Sequence, residues 1–186
     1  MEGSGCLASR MQALGPGATQ HDAADQLGEF VTGFLSFTLD PQGPRACQVM
    51  LREVLTDHSE DPSMLEALVS SVADKFMRPV HDILVSTLTL LAPDCSLEEL
   101  ELCADSIIGQ CTFYPSHRLF LERLAGPEVL SDAGVRKRAA HITAFSLRAL
   151  QLPEDVVLRA RERVERGDAL SAELEDKSGK EETRTA

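Results

Sequence analysis

Nine residues combine apolar bulk with a few polar groups at helical spacing. Phe76, Met77, Val80, His81 and Leu84 form one run, and Ile107, Gln110, Cys111 and Tyr114 form a second. Within each run the positions recur at intervals of three and four, so each set falls on one side of a helix. Apolar walls with polar handles at His81, Gln110 and Tyr114 are the make-up of a site for a small, largely apolar effector. The same stripes also serve as ordinary core, in which case His81 lies at a surface. Both readings stay open at the level of sequence.

Chemistry of a more aggressive kind finds no support. The five histidines are scattered and no two stand at i, i+4, the spacing of a helical zinc site. His117 near Cys111 is the nearest approach to a ligand cluster, and an ordinary partly exposed histidine explains it as well. A Cys/His catalytic pair needs a third orienting group and an oxyanion site, for which there is no local signature. Glu98 and Glu99 are adjacent on a helix surface, where charge runs are solvated faces rather than paired acid and base. The expectation is a protein that is not an enzyme and uses no cofactor or metal. Cys47, Cys103 and Cys111 fall on apolar helix faces and are expected as small core residues.

Composition narrows the partners. Of 186 residues, 43% are hydrophobic and 26% charged, ordinary for one globular domain with a core. Eighteen basic against thirty acidic residues leave a net charge of -12, which repels phosphate backbones and anionic membranes. One Tyr and no Trp give no stacking platform for single strands. The longest apolar run, Ile83 to Ala92, is far short of the ~20 residues of a membrane span. Arg10 followed by Gly15, Pro16 and Gly17 is not a signal-peptide pattern, and an odd number of cysteines fits a reducing compartment, so a cytoplasmic location is expected. Charge is uneven: residues 40–106 hold thirteen acids and four bases, residues 107–166 seven acids and ten bases. Arg136, Lys137, Arg138 and the Arg159 to Arg166 run are read as solvated faces with Glu/Arg pairs, with an acidic partner or a phosphate as the other reading.

The elements that must position these residues are all helical. Residues 1–20 are rich in Gly and small polar residues without a period, a loose segment. Leu27, Phe30, Val31, Phe34 and Thr38 mark a first helix from Asp22 to Asp40. Pro44 opens a second with Cys47, Met50, Leu51, Val54 and Leu55, ending near His58. Asp61-Pro62 starts the longest periodic segment, up to Pro93, and Pro79 within it predicts a kink near Phe76 or two helices meeting there. Ser96 with Glu99 is a capping box for a fourth helix running to about Leu124 with a bend near Pro115. Asp132 is expected to cap a fifth, in which Val135, Ala139, Ile142, Ser146, Ala149 and Leu150 share a side. A polar helix from Glu154 to Arg166 offers a weak docking face through Val156, Val157, Leu158 and Val164, and a disordered acidic tail follows. The organisation expected is a flexible segment 1–20, one domain over 21–152, and polar helix plus tail over 153–186.

Three ordered strings carry a resemblance: Gln48-Val-Met-Leu-Arg-Glu53, Ile107-Ile-Gly-Gln-Cys111 with Phe113-Tyr114, and His141-Ile-Thr-Ala-Phe-Ser-Leu147. Together, over roughly residues 22–150, they resemble the C-terminal domain of the CerR/CecR-like branch of TetR-type transcriptional regulators. The resemblance implies an all-α multi-helix bundle that binds an effector, and a homodimer in which the last two long helices of each subunit form a four-helix bundle. Here those would be residues 96–124 and 133–150, with Ile108, Gly109, Ile142, Phe145 and Ala149 at the subunit interface. Gly109 in mid-helix costs about 1 kcal/mol relative to Ala, which either close approach of a partner helix or intrachain packing would explain.

Members of the family begin with a three-helix DNA-binding domain, whereas the first 44 residues here hold one base, Arg10, and five acids. No recognition helix is expected, nor specific DNA binding by this chain alone. A stand-alone sensing domain, a gene start set too late and a regulator that has lost its reading head are the explanations left open. The leading expectation is the ligand-sensing and dimerisation domain of a regulator. Pairing with a related full-length regulator and a small-molecule or lipid carrier are the alternatives.

Overall fold

The computed structural model describes residues 14–39, 66, 69, 70 and 73–167, without the side chains of Lys75 and Phe76. The expected second helix, the Asp61 to Val72 stretch apart from three backbone positions, and the acidic tail lie outside the described residues. Among the described residues all regular structure is helical. Helix α1 spans Gln20–Leu39, α2 Arg78–Leu91, α3 Leu97–Ser116, α4 Arg118–Ala125, α5 Asp132–Ala149 and α6 Glu154–Arg166.

Helix α1 is the axis of the fold. Thr19 caps it, its backbone N–H donating to Asp22 Oδ2 at 2.8 Å while the Asp22 N–H donates to Thr19 Oγ1 at 3.2 Å, two residues earlier than the apolar period alone suggests. Buried residues lie on nearly every side of it, from Ala23 and Leu27 to Phe30, Val31, Phe34 and Leu35, and it touches α2, α3, α5 and α6. A helix apolar all round belongs in the middle of a bundle.

Prolines set the breaks. Pro79 has no N–H to offer the preceding turn, and the chain answers with a π-helical turn over Ala73–Met77 before α2 begins. Just past Pro115 the helix ends outright: α3 stops at Ser116, His117 leaves helical geometry at φ -112° and ψ 20°, and α4 restarts at Arg118. The single helix expected to Leu124 is therefore two. Gly126, at φ 84°, stops α4 in a conformation that side chains avoid.

The caps are mostly those the sequence advertises. Ser96 N–H donates to Glu99 Oε2 at 2.9 Å and Glu99 N–H returns to Ser96 Oγ at 3.3 Å. The Ser96 backbone and hydroxyl bonds hold the Glu99 carboxyl below the usual carboxylate range. A carboxylate whose value is lowered on folding stabilises at neutral pH and loses that contribution as pH falls through its own range. Glu99→Gln should therefore lower the neutral-to-alkaline plateau of a melting-temperature titration slightly and flatten its acid limb, so that the two proteins converge as pH falls. At α5 the cap is Ser131, whose Oγ accepts from Gly134 N–H at 3.2 Å, and not Asp132. The reason is the 3₁₀ turn Pro127–Leu130, which delivers the chain one residue earlier and leaves Asp132 to act on the helix dipole.

Helix α6 is built into the core. Val156, Val157, Ala160 and Val164 are buried against α1 and α5, which overturns the expectation of a weakly docked polar helix. Its apolar residues recur on one face at intervals of one, three and four, enough for a helix whose other faces are charged. Gly28 of α1 makes room for it: a Cβ there would lie 2.7 Å from Val164 Cγ2. The arginines are divided as well. Arg161 pairs with Glu165 along the helix, as expected of a solvated face, but Arg159 reaches Asp25 Oδ2 at 3.2 Å. Arg163 joins the same oxygen and binds Glu29 at 2.9 Å.

Between α5 and α6, Gln151 sits at φ 59°. Its N–H bonds to Arg148 O at 2.9 Å and that of Leu152 to Leu147 O at 3.1 Å, the paired bonds of a left-handed helix end that favours glycine. Gln151→Gly should stabilise the fold by about 1 kcal/mol, read as a shift in a urea midpoint at unchanged slope.

Candidate effector site and outer helix face

Helices α2 and α3 are joined by a short turn and pack side by side. Val80 and Leu84 of α2 and Ile107 and Cys111 of α3 lie at 1%, 0%, 2% and 0% exposure, and all four belong to the hydrophobic core that runs through the bundle. Burial pushes the Cys111 thiol up to about 12, so it stays protonated at neutral pH and contributes apolar surface. Met77 and Tyr114 are partly buried and pack at the edge of the same cluster. Phe76, expected in the same set, has its side chain outside the described residues.

The three polar handles occupy three different positions. His81 sits at the seam between α2 and α3, with Nε2 3.9 Å from Asp105 Oδ1 and Nδ1 4.0 Å from Asp82 Oδ1. These separations are too long for hydrogen bonds. Gln110 folds back along its own helix, its amide 3.4 Å from Ser106 O. Tyr114 faces α5, where the Arg138 guanidinium stands 5.6 Å from its ring centroid. Burial raises the Tyr114 hydroxyl above its ordinary value, and the neighbouring Arg138 charge opposes this. Arg138 is a contact that the sequence did not reveal, since 24 positions separate it from Tyr114.

The residues assigned to a subunit interface divide into inner and outer sets. Ile142, at 1% exposure, is part of the chain's own core, and Ile108, at 8%, nearly so. Phe145 and Ala149 face outward. Gly109 is exposed, and a Cβ added there would meet nothing within 4 Å among the described residues. Packing among the described residues therefore gives no reason for a glycine at this position. Further exposed apolar side chains that the sequence reading left out are Leu102 and Phe113 on α3, and Leu119, Phe120 and Leu124 on α4, which buries none of its residues. Phe113 stacks on His117 at 4.5 Å across the break between the two helices.

Among the described residues no group of His, Cys, Asp or Glu is arranged to hold a metal ion, and no helix is long and apolar enough to cross a membrane. Residues 23–150 match the family described as the C-terminal domain of the HTH-type transcriptional dual regulator CecR. No curated protein and no solved structure matches the chain.

Proposed function

Since the chain belongs to the family of CecR C-terminal domains, TetR-like regulator domains of all-helical fold, we propose that it is a ligand-sensing and dimerisation domain. A small, largely apolar effector would enter between α2 and α3, against Val80, Leu84, Ile107 and Cys111, with His81, Gln110 and Tyr114 at the rim. Subunits would meet through the outer faces of α3, α4 and α5.

The observation that carries this reading is the double use of α3. Its inner face holds Ile107 and Cys111, while its outer face holds exposed Leu102, Gly109 and Phe113. A rigid helix lining a ligand site on one side and a subunit contact on the other couples the two by small rigid-body shifts. The π-helical turn ahead of Pro79 gives α2 a yielding point from which to admit a ligand.

The test is a thermal-shift screen of apolar metabolites and drugs, repeated on Leu84→Trp and Cys111→Phe. A compound at a hundred times its dissociation constant should stabilise the native chain by about 2.7 kcal/mol. Its effect should vanish in whichever filled variants still melt cooperatively. Shifts of equal size in a folded filled variant would make this cluster plain core.

A further inference from the structure

Resting on the effector reading above, we infer that the effector is an amphipathic monocarboxylic acid, its apolar chain between α2 and α3 and its carboxylate held by Arg138 and Tyr114. Helices α2 and α3 offer an acid group little themselves. From Pro79 to His117 there is no Lys or Arg, against six acids, Asp82, Asp94, Glu98, Glu99, Glu101 and Asp105. Arg78, at the start of α2, is taken up by Asp74. The cation comes instead from α5. Arg138 sets its guanidinium 5.6 Å from the Tyr114 ring centroid, and Tyr114 stands one turn beyond Cys111 at the edge of the core.

Arg138 differs from its fellow arginines in what it meets. Arg118, Arg148, Arg159, Arg161 and Arg163 each pair with a carboxylate. Among the described residues Arg138 pairs with none, and its hydrogen bond runs from Nη1 to Gly134 O at 2.9 Å on its own helix. A guanidinium carries five N–H donors, so the rest of the fork is open to a ligand. The Tyr114 hydroxyl also has no hydrogen-bond partner among the described residues. Burial raises it above its ordinary value, so at neutral pH it keeps its proton and donates. Two donors side by side suit the two oxygens of a carboxylate. The neighbouring bases add no charge at this point: Arg136 lies against Gly167 at the end of α6, and Lys137 is exposed. One guanidinium balances a monoanion, not a doubly charged phosphate. Charge also sets the direction of the molecule. Asp82 and Asp105 stand beside His81, and Asp105 is nine residues before Tyr114, about 13 Å along the helix axis. An anion is repelled at that end and drawn to the Arg138 end, so the tail runs back past Cys111 towards Ile107.

The probes are straight-chain carboxylates from hexanoate to dodecanoate and the alcohols of matching length, titrated calorimetrically into the native chain, Arg138→Gln, Arg138→Lys and Leu84→Trp. Melts of the unliganded proteins check that each is folded. The best carboxylate should bind the native chain at least about tenfold more tightly than its alcohol. Arg138→Gln should erase that preference while leaving the alcohol within about twofold of its native affinity. Arg138→Lys keeps the charge without the fork and should fall between. Leu84→Trp should lose both probes. An alcohol that binds as tightly as its carboxylate overturns the carboxylate assignment and leaves the apolar site standing. So does a folded Arg138→Gln that keeps the preference, or that weakens both probes alike as a merely structural role would. Carboxylate binding that survives in folded Leu84→Trp, or a native chain that binds neither series, removes the site and the assignment together.

Discussion

A chain ending at Leu152 should fail to melt cooperatively, whereas one ending at Gly167 should melt like the whole protein. The first cut falls just past the matched family span and removes α6. Three valines and Ala160 leave the core with it, at roughly 1.5 kcal/mol or more per buried valine. Gly28 of α1 loses its close neighbour Val164, and Asp25, at 6% side-chain exposure, loses both of its arginine partners. Those arginines are themselves about a third and a half exposed, so their charge contribution is smaller than a fully buried pair would give. The apolar loss alone is on the order of 5 kcal/mol, comparable with the whole stability of a typical domain. Circular dichroism melts of the two truncations decide the matter: a sharp transition in the shorter one would show that α6 is dispensable.

Gly28→Ala should destabilise the fold by about 1–3 kcal/mol, although alanine is the better helix former. The added methyl would lie 2.7 Å from Val164 Cγ2, and a β-branched side chain on a packed helix has little freedom to move aside. Only a small separation of α1 from α6 relieves it. In a Val164→Ala background the obstacle is gone, so the same substitution should become neutral or favourable by up to about 1 kcal/mol. Denaturant unfolding of the four proteins in this cycle gives the coupling directly. Additive costs would mean that the two helices are not in register at Gly28.

Much of this architecture is legible in the residues, and the exceptions have physical causes. The apolar period of α1, the Ser96–Glu99 box and the disruption before Pro79 are local, each fixed by a few neighbours in the chain, and each appears as the sequence indicates. The role of α6 is not local. Its charged majority reads as solvated, yet four small or branched apolar residues suffice because Gly28 lets the helix come close, 136 positions away from Val164. The Arg159 and Arg163 pairs with Asp25 cross a similar distance. Among the residues proposed to line an effector site, the burial of Val80, Leu84, Ile107 and Cys111 follows from helical spacing, whereas the approach of Tyr114 to Arg138 depends on how α5 meets α3. The outer face of α3 was readable in principle, since Leu102, Gly109 and Phe113 keep a 3.5-residue period. It was obscured by the stronger inner stripe on the same helix.

The account stands most directly on the link between the two faces of α3. The decisive measurement is the dimer dissociation constant, by sedimentation, with and without a compound that stabilises the native chain but not Leu84→Trp. Sites that share a helix exchange free energy reciprocally, and couplings of this kind are typically about 5- to 150-fold in affinity. The account predicts a change of at least about fivefold in the dissociation constant when the compound is bound. A compound that occupies the cluster at saturation and leaves the constant unchanged would contradict it, because α3 would then carry two faces with no communication between them.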